Sequence, residues 1–155
     1  MYHRIFQIME SKISPDEYIP SSYFEDHWFT RDIANCVACS NREEDIRYLQ
    51  NFLGGIAKID GSGEMTFSSG ALKKYLIPRY QKFQKYVFKL RKYSLDDFRY
   101  IKISPELFEL KSCVNDEFGY YVISENDDIQ TFDEWIRWHD LTKPYYIGST
   151  FDYSF

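Results

Sequence analysis

Three cysteines and three histidines are the side chains of this chain best suited to metal binding or nucleophilic chemistry. Cys36 and Cys39 have the C-x-x-C spacing found in zinc sites and in thiol–disulfide motifs. A structural zinc site needs two further ligands at a recognisable spacing, and the sequence has no second pair. A thioredoxin-like motif follows a strand, whereas this pair lies late in a predicted helix. We therefore interpret Cys36 and Cys39 as small buried residues, with zinc or redox chemistry as the alternatives.

Two acid–histidine neighbours, Asp26-His27 and His139-Asp140, carry groups that general acid–base catalysis uses. Adjacent residues on a helix point in different directions, so neither pair is a preformed dyad. The sequence also has no nucleophile elbow, no EF-hand loop and no phosphate-binding glycine motif. We therefore expect no catalytic residue, metal or cofactor, and we keep an enzyme with a pocket near His27 or His139 as the weakest hypothesis.

The strongest charge feature is the stretch 69–93, which has eight basic residues and no acidic one. The whole chain has 19 basic and 24 acidic residues, so the remainder carries 11 basic and 24 acidic ones. Apolar residues recur in this stretch at helical spacing and predict a buried stripe. That stripe consists of Leu72, Leu76, Tyr80, Phe83, Val87 and Leu90. Because proline lacks an amide hydrogen, Pro78 predicts a kink or a new helix start within the stretch.

The lysines of this predicted helix gather on the side opposite the apolar stripe. A solvated lysine face is the ordinary interpretation of such a pattern, and the alternative is a docking surface for an acidic partner. An acidic loop elsewhere in the chain is a second candidate surface. The residues predicted to contact a partner are Lys74, Lys82, Lys85, Lys89, Lys92 and Tyr86 on the helix and Glu125, Asp127 and Asp128 in the loop. We expect no membrane-surface role, because the apolar side of the helix is needed for the core.

The composition is that of one globular domain spanning residues 1–155, with 44% hydrophobic and 28% charged residues. The aromatic fraction of 19% is high and suits half-buried sheet faces and interfaces. A pI near 5.2 argues against a dedicated nucleic-acid binder. The sequence has no apolar run long enough for a transmembrane helix and no signal-peptide pattern. With its few cysteines, this favours a cytoplasmic protein with free thiols.

Helical and extended patterns are interspersed along the chain, and predicted hairpins dominate. Helices are predicted over about 22–39, 41–53, 69–93, 95–100 and from Thr131 onward. Strands are predicted over 2–13, 56–59, 65–67, 107–114 and 120–124, with a final edge strand in the segment after Pro144. This order predicts an α+β domain, with a mainly antiparallel sheet of about five to six strands packed against about three to four helices.

The sequence therefore favours a small non-enzymatic protein-interaction domain. An inhibitor, an immunity or antitoxin-like protein, or an accessory protein of a bacterium or mobile element would suit it. Its aromatic content and its separated charges support this hypothesis. Nucleic-acid binding through the basic stretch 69–93 is the second hypothesis, because several lysines on one face can contact phosphates.

Overall fold

The structure is a computed structural model that describes residues 3–155. Its seven strands are β1 (His3–Met9), β2 (Cys36–Cys39), β3 (Ala57–Ile59), β4 (Glu64–Phe67), β5 (Tyr121–Ile123), β6 (Ile129–Thr131) and β7 (Tyr145–Ser154). Its six α-helices are α1 (Trp28–Asp32), α2 (Arg42–Leu53), α3 (Ala71–Leu90), α4 (Leu95–Arg99), α5 (Ser104–Val114) and α6 (Phe132–Trp138). The strand predicted over 2–13 corresponds to β1, and Tyr2 lies outside the described residues.

All seven strands form one sheet, in the order β3-β4-β7-β1-β5-β6, with β2 paired to β7 beside β4. Only the β1–β5 pairing is parallel among the described strands. The predicted α+β class with a mainly antiparallel sheet is therefore confirmed. The central position predicted for β1 is also confirmed, since β1 lies between β7 and β5.

The last strand is central, so its prediction as an edge strand is wrong. β7 pairs with β1 along one side and with both β2 and β4 along the other. The register shifts between β1 and β7, with Phe6 opposite Thr150 but Ile8 opposite Ile147. This β-bulge places Ile147 and Phe151 in the cores on opposite faces of the sheet. A simple alternation of residues could not predict that change of face.

The bulge depends on the buried side chain of Gln7. Its Oε1 accepts hydrogen bonds from the amides of Ser149 at 3.0 Å and Ile19 at 3.2 Å. Its Nε2 donates to the carbonyl of Glu17 at 3.3 Å. A β-carbon at Gly148 would overlap with the Gln7 amide group, so only glycine fits there without displacing this network.

Two hydrophobic cores cover the two faces of the sheet. The larger core packs Leu49, Leu53, Tyr75 and Trp135 of α2, α3 and α6 against the sheet. The smaller core lies beneath α1 and the 3-10 turn Ser21–Phe24. Helices on both faces explain why strands such as β1 and β7 are apolar on both sides.

Several elements follow the local signals of the sequence. Asn41 caps α2, since its side chain accepts a hydrogen bond from the Glu44 amide, and Gly54 ends that helix with a φ of 55°. Thr131 caps α6 in the same way through the Glu134 amide. The predicted hairpin around residues 60–63 is confirmed as β3–β4, and the short helix over 95–100 is confirmed as α4.

Two predicted elements are wrong. The helix over 22–39 is interrupted at Asp26, which has a φ of 58°, and it ends in strand β2 instead of continuing. The strand over 107–114 is helix α5, with Pro105 in its first turn, and it packs on α3. Its short apolar alternation fits either structure, and packing against α3 decides for the helix.

The basic helix α3 is continuous through Pro78, so the predicted new helix start is wrong. Pro78 is exposed, and water can satisfy the carbonyl that its missing amide leaves open. The buried residues of α3 are Ala71 and Tyr75. Tyr80, expected in the buried stripe, is 59% exposed. The helix therefore meets the core through its first turns only.

Candidate functional site

A helical arm extends from the core between residues 76 and 112. It comprises the greater part of α3, all of α4 and most of α5, and none of its side chains is fully buried. Within it, α5 packs chiefly on α3, and the packing side of α3 is only half-buried. Isolated helices as short as α4 and α5 are marginal in water, so these parts of the arm depend on packing beyond their own local propensity.

A buried carboxylate anchors the arm to the rest of the protein. Asp133 of α6 accepts hydrogen bonds from the Tyr75 hydroxyl at 2.5 Å and from Arg79 Nε at 3.1 Å. Its second oxygen accepts from the Asp116 amide at 2.8 Å. The Arg79 guanidinium also lies 3.6 Å from the centre of the Tyr75 ring. Burial, and then the nearby Asp133 charge, raise the pKa of Tyr75, so its hydroxyl stays protonated and donates.

The predicted lysine face is exposed, and it is mostly unpaired. Lys82 forms a salt bridge with Glu109 of α5 at 2.9 Å. This contact is the largest cause of the lowered pKa of Glu109. The ammonium groups of Lys89 and Lys92 lie 5.1 Å and 4.3 Å from the rings of Tyr86 and Phe88. Within residues 3–155, no acidic side chain forms an ion pair with Lys74, Lys85, Lys89 or Lys92.

A second side of α3 carries exposed apolar residues. Ile77, Tyr80 and Phe88 fall within about 80° of one another around the helix, at 100° per residue. Helix α5 does not cover this side, because the half-buried residues that face α5 lie elsewhere on the circumference. The arm therefore has an apolar stripe and a lysine face side by side, which is the composition of a docking surface.

A groove continues this stripe toward α6. One cavity of about 930 Å³ lies between Leu72, Leu76 and Ile77 of α3 and the segment His139–Thr142. A second cavity of about 370 Å³ shares Leu76 and Tyr80 with the first and extends to α5. Arg137 and His139 line the two cavities, and Trp138 between them is 82% exposed. Trp138 itself lines neither cavity, so the groove is defined by the apolar residues of α3 together with Arg137 and His139.

The acidic loop is the turn of the β5–β6 hairpin and lies apart from the lysine face. The Glu125 carboxylate accepts a hydrogen bond from the Glu10 amide at 2.7 Å, and the Asp127 carbonyl accepts one from the Tyr23 hydroxyl at 3.0 Å. These contacts tie the loop to the end of β1 and to the Ser21–Phe24 turn. The side chain of Asp128 is exposed, and no described hydrogen bond or ion pair joins the loop to α3.

The two histidines considered for catalysis are held by their own surroundings. His27 accepts a hydrogen bond from the Phe29 amide at 3.1 Å and caps α1. His139 stacks on Trp135 with ring centres 4.7 Å apart, and its Nδ1 lies 2.7 Å from the Trp135 carbonyl. A carbonyl only accepts, so Nδ1 carries the proton and donates. Neither ring is hydrogen-bonded to a carboxylate within the described part of the chain, so the structure brings no histidine–acid dyad together.

Replacing His27 with asparagine is expected to reduce the loss of stability on acidification. The pKa of His27 lies below 6.5 because burial disfavours the charged ring, so the unfolded chain binds this proton first. The contribution of His27 to the free energy of unfolding therefore decreases as the pH falls through about 6.5. Asparagine retains a capping oxygen but does not titrate. Urea unfolding of both proteins at about pH 7.5 and pH 5.5 measures the difference, and equal pH dependence in the two would contradict the expectation.

The C-x-x-C pair lies on strand β2, and both cysteines are exposed, so their prediction as buried helical residues is wrong. Residues three apart on a strand point to opposite faces and are about 10 Å apart. Cys36 and Cys39 are therefore too distant for a mutual disulfide or a shared zinc ion. No group of three or more metal-binding side chains occurs within residues 3–155.

We expect a thiol reagent, such as an aromatic disulfide that releases a coloured thiolate, to label Cys36 and Cys39 in the folded protein. Cys113 is buried, and burial raises its pKa, so it holds little reactive thiolate until the chain unfolds. Thiol titration should therefore detect two of the three cysteines before denaturant is added and all three afterward. Native labelling of Cys113 at the same rate as Cys36 would contradict this assignment.

The sequence indicated the lysine face but missed the groove and the exposed Trp138. The apolar side of α3 could have indicated the groove, but the sequence-based interpretation assigned that side wholly to the core.

Within residues 3–155, no helix is long and apolar enough to cross a membrane. Comparisons with known protein families, with curated proteins and with solved structures found no significant match, so the site is described by its own geometry alone.

Proposed function

We propose that this protein is a non-enzymatic protein-interaction domain that docks a partner along the arm. The observation that carries the proposal is the absence of any buried side chain from residue 76 to residue 112, although the segment is helical and rich in large apolar residues. Exposed apolar surface of this extent is costly in water, and a partner that covers it removes the cost. An inhibitor, an immunity or antitoxin-like protein or an accessory protein would act by such coverage.

The chemistry of the surface favours an acidic protein partner. The groove supplies apolar contacts at Leu76, Ile77 and Tyr80. The neighbouring Lys85 and Lys89 lack carboxylate partners within the described chain, so partner acids are free to pair with them. We place the protein in the cytoplasm, because its three unpaired thiols suit a reducing compartment.

Photo-cross-linking in the native cell tests this proposal. A photoreactive phenylalanine at Tyr80 should give a discrete cross-link to one protein, whereas the same probe at Trp28, on the other face of the sheet, should not. The partner identified at Tyr80 should then bind the purified protein in a defined ratio. Cross-linking at Tyr80 that is no stronger than at Trp28 would overturn the proposal.

Charge reversal supplies a matched control for the lysine face. Lys85→Glu/Lys89→Glu is expected to weaken binding of that partner by about tenfold and to change its salt dependence. Lys12→Glu/Lys58→Glu reverses two exposed lysines away from the arm and should leave binding unchanged. Equal loss in both double variants would indicate a response to net charge alone and would remove the lysine face from the site.

Nucleic-acid binding is the second candidate, and unpaired Lys85, Lys89 and Lys92 beside Tyr86 and Phe88 favour it. Lysines supply phosphate contacts, and exposed rings supply stacking surfaces for single strands. A mobility-shift assay at low salt, with wild type and Lys82→Glu/Lys85→Glu/Lys89→Glu, decides between the candidates. Absence of a shift with wild type, or an equal shift with both proteins, would exclude this face as a nucleic-acid site.

A further inference from the structure

The far end of the arm carries a further group of exposed apolar side chains, which shares only Phe88 with the apolar stripe of α3. They belong to the last turn of α3, to α4 and to the connection between α4 and α5. This tip consists of Phe88, Leu95, Phe98, Tyr100 and Ile101. Leu95 is 83% exposed and Ile101 is 68% exposed, so the protein itself covers little of either. The groove is lined by residues of the opposite part of α3 and is a different surface.

The tip is also strongly basic. Residues 85–102 contain six basic and two acidic residues, a net charge of +4 in a chain whose total is −5. One of the two acids, Asp97, is already engaged, since it lies 3.6 Å from the Lys102 ammonium and accepts from the Ser94 amide at 2.9 Å. The basic residues of the tip are Lys85, Lys89, Arg91, Lys92, Arg99 and Lys102. Apolar side chains surrounded by cations match an anionic, partly apolar counterpart.

Several backbone amides of the tip have hydrogen-bond partners within the chain. Ser94 and Asp97 form a reciprocal capping box that satisfies amides at the start of α4. Amides of the following turn are also bonded, from Ile101 to the Phe98 carbonyl at 3.1 Å and from Lys102 to the Asp97 carbonyl at 3.0 Å. Ile101 has a φ of 56°, an unfavourable conformation for a β-branched residue, and its side chain is nevertheless left exposed.

We propose that this tip docks on the surface of an anionic lipid bilayer. Leu95, Phe98 and Ile101 enter the boundary between headgroups and acyl chains, while the surrounding lysines and arginines contact lipid phosphates. A projecting end of a helical hairpin can enter such a plane, and aliphatic side chains do not stack on nucleic-acid bases. The sequence-based expectation of no membrane role considered only the apolar side of α3, whereas these residues follow that helix. The inference does not depend on the partner proposed for the groove.

Co-sedimentation of the purified full chain with lipid vesicles tests this inference. The protein should bind phosphatidylcholine vesicles that contain about 30% phosphatidylserine and should not bind pure phosphatidylcholine vesicles. Raising the salt from about 0.05 M to about 0.5 M should weaken binding, because it screens the lysines and arginines. Absence of binding to the anionic vesicles at low salt would overturn the inference, and a tip that serves a protein partner instead would give that result.

Two variants distinguish the tip from general adhesion. Leu95→Ser/Phe98→Ser/Ile101→Ser should lose at least about tenfold in vesicle binding, because it removes the inserting side chains. Trp28→Ser removes an exposed apolar residue on the other face of the sheet and should bind like wild type. Both variants change exposed side chains, and unchanged circular dichroism will confirm that they fold. Equal binding by wild type and the tip variant, or equal loss in both variants, would overturn the inference.

Discussion

Replacing Asp133 with alanine is expected to lower the free energy of unfolding by about 3–5 kcal/mol. The carboxylate is 3% exposed and accepts three hydrogen bonds, from Tyr75, Arg79 and the Asp116 amide. Alanine would leave a partly buried guanidinium without its counter-charge and a buried hydroxyl without an acceptor. Both losses carry a desolvation cost, so removal of one partner costs more than the net value of the contacts.

Chemical denaturation followed by circular dichroism measures this effect, with Asp128→Ala as the matched control. Asp128 is exposed in the β5–β6 turn, so its truncation should change stability by no more than about 0.5 kcal/mol. Tyr75→Phe removes one of the three hydrogen bonds and should cost about 1.5–3 kcal/mol. An Asp133→Ala protein as stable as the Asp128→Ala protein would contradict the proposed anchoring of the arm.

Replacing Trp135 with alanine is expected to destabilise the fold by about 3–5 kcal/mol. Trp135 is fully buried in the larger core, and its ring contacts those of Phe67, Phe132, His139 and Tyr145. Truncation would leave a large cavity and remove the stacking partner of His139, which lines the groove. The same change at Trp138, three residues later on the helix surface, should cost no more than about 0.5 kcal/mol.

A third variant separates the packing of Trp135 from its polarity. The indole Nε1 of Trp135 is buried and has no hydrogen-bond partner among the described residues, so Trp135→Phe gives up no such bond. It should therefore cost much less than Trp135→Ala, on the order of 1–2 kcal/mol for the lost volume. Urea unfolding of the three variants provides the ranking. Similar losses for Trp135→Ala and Trp138→Ala would contradict the assignment of Trp135 to the core.

Short sequence motifs predicted the helices that begin with a capping residue and the hairpin that contains a tight turn. Asn41 and Thr131 marked the starts of α2 and α6, and the glycines around residue 61 marked the β3–β4 hairpin. A cap or a tight turn is decided by a few neighbouring residues, so its pattern is readable in the sequence. The predicted exposure of the lysines on α3 also agrees with the structure, because long charged side chains are rarely buried.

Contacts between segments distant in the chain decided the elements that were predicted wrongly from the sequence. The alternation over 107–114 became helix α5 because α3 offered a helical packing partner, and β2 formed because β7 offered a free edge. The bulge near Gly148 changed the face of β7 through the side chain of Gln7, more than a hundred residues away in the chain. Such outcomes depend on partners that local periodicity does not contain.

For this protein, the sequence by itself determined the α+β class, the capped helices and the concentration of positive charge between residues 69 and 93. Only the tertiary structure decided which apolar residues are covered. Periodicity identifies the apolar side of a helix, but burial requires a second surface large enough to cover that side. The core covers Ala71 and Tyr75, with Tyr75 packed against Phe52 of α2 and Phe132 of α6, and no residue of α3 beyond Tyr75 is buried. The arm therefore remains exposed and carries both proposed surfaces.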